Sequence, residues 1–394
     1  MGEEQLNVKS GKFSLLVSAL IIIGITVTLR STNNMMITTM PIFSKDIFNF
    51  SNISVGELTA LTYATTFLTT LLLNPRLESA QRRRIFIVSI AVIDVSLVLL
   101  YFSDSLSIWP IAALSGVAFG MVFPNLVTSA SLHGDHRAQM RLLAIYSVSL
   151  SLSLVIGPVI ETVILPLVGY RGVFLAFLPM GIIGTAVSPL VRFPQGGGER
   201  RGRKTLGNRS LHASLLSISV YNVPFAAITS FLVIYAEQNY HVSSSIAYSA
   251  FIVFFASSFT TRLLLALKPM EGLRTPLVIS SALTVASLVS IPFIPTFYAF
   301  LVVMVFMGIP HGSIFPITTM MIARGTEPEE RNAANSYFMA YNNILFMIIP
   351  VVFGYLSSQI GFHHDFVILG IISAAFVIAL MIIYGKERKI FYRN

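Results

Sequence analysis

Gly116-Val117-Ala118-Phe119-Gly120-Met121-Val122-Phe123-Pro124 recurs further along the chain as Gly308-Ile309-Pro310-His311-Gly312-Ser313-Ile314-Phe315-Pro316, with both glycines and the Phe-Pro pair in register. The same shift of 192 positions carries Arg82 onto Arg274, Pro158 onto Pro350, Gly169 onto Gly361 and Phe174 onto Phe366. Glycine and proline each serve a special backbone geometry, so their agreement across separated segments reports a duplication rather than chance. A long period repeated twice in an apolar chain predicts a duplicated helical bundle.

Composition says what solvent that bundle lives in. The 394 residues are 55% hydrophobic and 11% charged, against roughly 25% charged for an ordinary soluble domain. Apolar runs of about 20 residues, each able to cross a hydrocarbon core as a helix, recur along the whole length. Lipid offers no water to exposed peptide groups, so these runs must be helical. Twelve spans are predicted, at 14–40, 55–73, 85–102, 108–132, 142–165, 172–191, 213–236, 244–267, 275–294, 297–322, 333–357 and 366–384. The fold class is therefore an all-α membrane protein of two pseudo-symmetric six-helix bundles. The expected organisation is a tail 1–12, a first bundle 13–191, a central loop 192–211, a second bundle 212–385 and a tail 386–394.

Orientation follows from the basic residues. With the amino terminus in the cytoplasm, all but four of the 26 Lys and Arg fall in inner segments. The outer loops hold only Lys45 and Arg171, while Arg30 and Arg262 lie inside spans. The positive-inside rule then puts both termini in the cytoplasm of a multi-pass cell-membrane protein. It also explains the net charge of +9 through the anionic inner leaflet, without nucleic acid. The first apolar stretch is longer than a signal core and lacks a small-residue cleavage site, so no cleaved leader is expected. The absence of cysteine excludes disulfides, thiolate catalysis and Cys-ligated metal. Asn52-Ile53-Ser54 matches a glycosylation acceptor, and the basic run Arg200 to Lys204 reads as a solvated loop near acidic lipid.

Twelve helices in two halves joined by a long loop resemble the major facilitator superfamily. The loop between helices two and three there reads Gly-x-Leu-x-Asp-x-x-Gly-Arg-Arg/Lys; here it is Pro75-Arg76-Leu77-Glu78-Ser79-Ala80-Gln81-Arg82-Arg83-Arg84, with the Leu and the basic cluster kept and both glycines lost. Gly169-Tyr170-Arg171-Gly172-Val173-Phe174 looks like the family's Gly-Trp-Arg-x-x-Phe segment before helix six. Gly157-Pro158 resembles the Gly-Pro of the exporter-associated motif, although Glu161 and Thr162 replace the glycines expected after it. The helix-four Arg of proton-coupled exporters, expected near Ala112, is missing. The pattern is nearest to proton antiporters of drugs and metabolites. The resemblance implies that helices one, four, seven and ten line a central cavity and that three, six, nine and twelve face lipid. It also implies a gating role for Glu78, Arg82 and Arg83, with Arg274 at the repeat position of Arg82.

Residues of the spans supply the candidate sites. Arg30 lies just past the centre of helix one, with Asn33 and Asn34 a turn on. A guanidinium inside a span is costly and faces a cavity or a partner. It reads as a site for an anionic or strongly hydrogen-bonding substrate, as half of a structural ion pair, or as a side chain snorkelling to the surface. Asp94 in helix three is a proton site, a partner of Arg30, or a hydrogen-bonded structural residue. Glu161 in helix five is a second proton candidate, close enough to the outer interface that solvation competes. His311 stands where the first repeat has Phe119, and an imidazole there can bind substrate or respond to pH. Phe119, Tyr221, Asn222, Tyr341 and Asn342 complete an aromatic, amide-rich set, in which Asn222 is the repeat counterpart of Arg30. Such walls suit small molecules, but Asn and Tyr also serve as interhelical hydrogen bonders. Arg262, near the inner end of helix eight, reads as a gate or a lipid-phosphate contact.

No nucleophile elbow, phosphate loop or paired metal-ligand spacing is present, so neither an enzyme nor an ATP-driven pump is expected. The expected function is secondary transport of a small molecule by alternating access, with no cofactor and no metal. The expected protein is a monomer in lipid, coupled to protons and leaning to export of small amphiphilic compounds. Uptake of a sugar, organic anion or other nutrient by symport or uniport is the alternative, and a non-transporting sensor of the same fold is the minor one.

Overall fold

The computed structural model describes residues 2–74, 77, 79–130, 136–191, 193, 206–267, 272–326 and 328–392. Its elements are α1 (Gly2–Phe48), α2 (Asn52–Leu68), α3 (Ser79–Phe102), α4 (Ile108–Ala130), α5 (His136–Ala176) and α6 (Leu178–Val187) in the first half. The second half holds α7 (Arg209–Tyr240), α8 (Ser244–Leu267), α9 (Arg274–Ser290), α10 (Phe297–Gly325), α11 (Pro328–Ile360), α12 (Phe362–Tyr384) and a final turn, α13 (Arg388–Phe391). Among the described residues, ten helical segments are long and apolar enough to cross a membrane. One of these, Ile145–Leu190, is 46 residues long, at ~1.5 Å per residue about twice the hydrocarbon thickness. It breaks at Gly169 (φ 67°, ψ 176°), a conformation open to glycine, and so supplies two crossings. α2 is 17 residues and continues into a turn of π-helix, Thr69–Leu73. Counted this way, the helices are consistent with twelve crossings.

α1 departs from the expectation. The first span was expected to end at residue 40, just before Pro41. Instead the helix runs through it to Phe48, and Ser44 Oγ donates to the Pro41 carbonyl at 2.8 Å. The apolar span is Leu15–Phe48, which moves Arg30 to its middle.

The chain forms two compact units that cut across the two repeats. One comprises Met1–Met36, Thr65–Gly157 and Val168–Glu199; the other comprises Ile37–Ala64, Pro158–Leu167 and Arg200–Asn394. In lipid, close backbone approach replaces hydrophobic collapse as the reason for helices to associate. In the first unit a Cβ on Gly120 of α4 would lie 2.6 Å from the Thr66 carbonyl and 2.7 Å from Thr69 Cβ. In the second, a Cβ on Gly312 of α10 would collide with the Ser258 carbonyl and lie 2.7 Å from Thr261 Cβ. Thr66 and Ser258, like Thr69 and Thr261, are 192 positions apart. The duplication seen in sequence thus extends to which atoms touch. Within the second unit α7 is enclosed on nearly every side. The end of α1, the start of α2 and the Pro158–Leu167 stretch of α5 pack with it as part of the same unit.

Candidate functional site

In the first unit the polar residues gather on α1, α4 and α5. Arg30 Nη2 donates to the Tyr146 hydroxyl at 3.2 Å, and the guanidinium lies 3.7 Å from the centroid of the Phe123 ring. Phe123 stacks in turn on Phe119 at 5.3 Å. Arg30 Nε is buried without a hydrogen-bond partner among the described residues. A turn on, Asn34 Nδ2 donates to the Leu154 carbonyl at 3.4 Å and Ser31 Oγ to the Ser153 carbonyl at 3.3 Å, seaming α1 to α5. Asn33 is half-buried.

Asp94 is not the partner of Arg30. Its Oδ2 accepts from Thr185 Oγ1 at 2.6 Å, and its other oxygen abuts Gly181, where any Cβ would collide with it. The missing side chain of Gly181 opens the niche that draws the carboxyl to α6. Nor does Arg30 snorkel: it sits mid-span and is held by Tyr146 and Phe123 rather than reaching an interface. That leaves a mid-span cation without a carboxylate partner among the described residues. Cation–π contact with Phe123 stabilises such a charge by about 2 kcal/mol at most sites away from water, less than the several kcal/mol of its desolvation.

In the second unit His311 is the centre of a ring cluster. The rings of Phe225, Phe254, Tyr221 and Phe255 lie 4.6, 5.2, 5.4 and 5.5 Å from it. Its Nδ1 shares a hydrogen with Ser258 Oγ at 2.6 Å. Arg262 Nη2 donates to the His311 carbonyl at 3.3 Å, so this arginine braces α8 against α10. The Tyr221 hydroxyl is buried with no partner among the described residues. Asn222 Nδ2 donates to Asn342 Oδ1 at 2.8 Å, and Tyr341 and Ser219 share a hydroxyl hydrogen bond of 2.6 Å, tying α7 to α11.

Glu161 corrects the expectation of solvation. It is fully buried, and its Oε1 accepts from Thr38 at 2.7 Å and Thr39 at 2.5 Å, while Oε2 has no partner among the described residues. The cover comes from Thr38 and Thr39 of α1, in the turn before Pro41. Of the remaining candidates, Arg82 Nη2 donates to the Leu77 carbonyl at 3.1 Å and the Asn74 carbonyl at 3.4 Å, closing the end of the first helical pair. Arg83 Nη2 donates to the Pro189 carbonyl at 2.7 Å, and Arg274 is exposed at the start of α9. Glu78 and the run Arg200 to Lys204 lie outside the described residues. Asn52 is committed to Lys45 Nζ (2.8 Å) and Ser357 Oγ (3.1 Å), which disfavours it as a glycan acceptor.

Sequence reasoning missed Asp365. It is 1% exposed at the start of α12, and neither carboxyl oxygen has a hydrogen-bond partner among the described residues. A signal was there: its repeat counterpart is Val173, itself 1% exposed, so an acid stands at a core position. Tyr146 carried the same kind of signal, its counterpart being Phe338.

A duplicated helical membrane bundle with cations and acids held inside its spans defines a transporter. The chain belongs to the Major Facilitator Superfamily, whose family model matches residues 19–270 and 215–390. That membership makes it a transporter and not an enzyme. No curated protein matches it. Among solved structures it is similar to a bacterial homolog of the human lysosomal transporter Spinster in an inward-facing, unoccupied conformation. There the TM-score is 0.74 at 14% identity, over 97% of this chain and 98% of that one. The occupied inward-facing form of that homolog gives 0.73 at 13% identity, over 96% and 97%. A variant of the nucleoside transporter NupG gives 0.71 at 12% identity, over 93% and 99%. At these identities the likeness is one of fold.

Proposed function

We propose that this protein is a proton-coupled secondary transporter of small amphiphilic compounds bearing an anionic or strongly hydrogen-bond-accepting group, working by alternating access with export as its direction. The observation that carries the substrate class is Arg30: a mid-span guanidinium with an unpartnered Nε and no carboxylate partner among the described residues. A substrate oxygen beside it supplies the missing counter-charge, and the guanidinium fork suits two-point contact. The second unit has its own apolar and aromatic surface, the ring cluster around His311 with the Tyr221 hydroxyl that has no partner among the described residues, of the kind small-molecule sites use. Glu161 and Asp94 are the proton carriers of this reading, each with one buried, unbonded carboxyl oxygen among the described residues. The protein works as a monomer in the cell membrane with both termini in the cytoplasm, as its basic residues direct.

The test is a thermal-shift screen of purified protein against amphiphilic carboxylates, sugars and neutral drugs, because a binder stabilises the folded state by mass action. Stabilisation by carboxylates, followed by their pH-gradient-driven efflux from reconstituted vesicles, is the expected result. Binding of sugars alone, with downhill flux insensitive to pH, would replace this reading with nutrient uptake.

A further inference from the structure

Two seams in the second unit are related by the repeat and differ in their chemistry. Where α2 meets α11, backbone touches backbone: a Cβ on Gly56 would collide with the Pro350 carbonyl, and one on Gly354 with the Asn52 carbonyl. The charged neighbour of this seam, Lys45, lies at its end on Asn52 Oδ1. The shift of 192 converts Gly56 to Tyr248 and Ile53 to Ser245, and relates Pro350, Phe353 and Gly354 to Pro158, Glu161 and Thr162. In that second seam α5 meets α8, and Ser245 Oγ donates to the Thr162 carbonyl at 2.5 Å. The Tyr248 hydroxyl donates to Thr39 Oγ1 at 3.1 Å, and Thr39 donates to Glu161. An apolar Phe353 in one seam is thus replaced by a fully buried carboxyl in the other.

Three helices close over that carboxyl. α1 presents Thr38 and Thr39, α8 presents Tyr248 (its other titratable group, Arg262, bonds the His311 carbonyl), and α5 presents Glu161 itself. No cation bonds to it among the described residues, and both donors meet Oε1. Sealing an ionised carboxylate without a cation carries a desolvation penalty that two hydroxyls offset only in part. A proton on Oε2 removes the charge. When it departs, the O–H bond breaks, the proton passes to water, and the carboxylate requires water at Oε2, which the closed seam denies.

We propose that Glu161 is a proton-operated lock: the α1–α5–α8 seam shuts when its carboxyl carries a proton and parts when the proton leaves. This rests on the transport reading only in giving the motion a purpose. The α2–α11 seam, closed by glycines and carbonyls, acts as the passive counterpart.

The chain has no cysteine, so spin labels at Leu167→Cys on α5 and Ser243→Cys just before α8 report this seam alone. Distances are to be measured in lipid nanodiscs from about pH 5.5 to about pH 9.5, a window spanning carboxyls in apolar sites. The parent should pass from a short to a long distance as pH rises, and Glu161→Gln should stay short throughout. Should the amide not fold, Glu161→Met, which imitates the apolar Phe353, should behave in the same way. A Glu161→Gln protein that still opens with pH, or a parent that never does, overturns the lock. No substrate enters the measurement, so failure of transport leaves it standing and failure here leaves the transport reading standing.

Discussion

Gly169 and Gly361, 192 positions apart, share one backbone conformation at equivalent helix junctions, with φ of 67° and 79°. A Cβ at either would meet nothing within 4 Å, so the demand for glycine is purely conformational. Alanine at either position should cost about 1–3 kcal/mol, the usual strain in this region of backbone space. Gly24→Ala is the matched control, being equally open but within a helix; it should be neutral or stabilising by about 0.5–1 kcal/mol. Thermal unfolding in detergent checks all three. A Gly361→Ala melt equal to that of Gly24→Ala would contradict the repeat-junction account.

Gly181 and Asp94 are complementary, since only glycine leaves room for the carboxyl. Gly181→Ala alone should destabilise by about 1–3 kcal/mol through overpacking. In an Asp94→Ala background the same change should cost almost nothing. A double-mutant cycle in melting free energy measures that coupling; additive effects would mean that the two side chains do not meet.

The sequence revealed the architecture because its strongest signals are periodic and local: apolar runs, and glycines and prolines repeating at a shift of 192. It ended the first span at residue 40, whereas the helix runs on through Pro41 to Phe48. The longer span, Leu15–Phe48, puts Arg30 at its middle. The partners of each buried group were illegible for another reason. Tyr146, Thr185, Tyr248 and Ser258 come from other helices, and spacing within one helix says nothing about them.

Topology has a direct check. Cysteines placed at Ser51, exposed between α1 and α2, and at Gly197 in the central loop should label from opposite faces of a sealed vesicle. Labelling of both from one side would undo the orientation argued from the basic residues.

Proton coupling predicts that Asp94→Asn abolishes the dependence of transport on a pH gradient while substrate counterflow persists, whereas Glu161→Gln, its seam held shut, abolishes both. Flux into vesicles with and without the gradient distinguishes the two activities. If both variants respond to the gradient as the parent does, coupling lies elsewhere, with His311 next in line, or the protein is a uniporter.

The most direct test of the account is the ligand-induced melting shift of the parent beside Arg30→Lys. Lysine keeps the charge but loses the planar fork and the reach of Nη2 to Tyr146. At a ligand concentration about 100 times its dissociation constant, an amphiphilic carboxylate should stabilise the parent by about 2.7 kcal/mol. Arg30→Lys, with its own melting temperature unchanged, should lose most of that shift. An undiminished shift in Arg30→Lys would contradict the assignment of Arg30 as the substrate anchor.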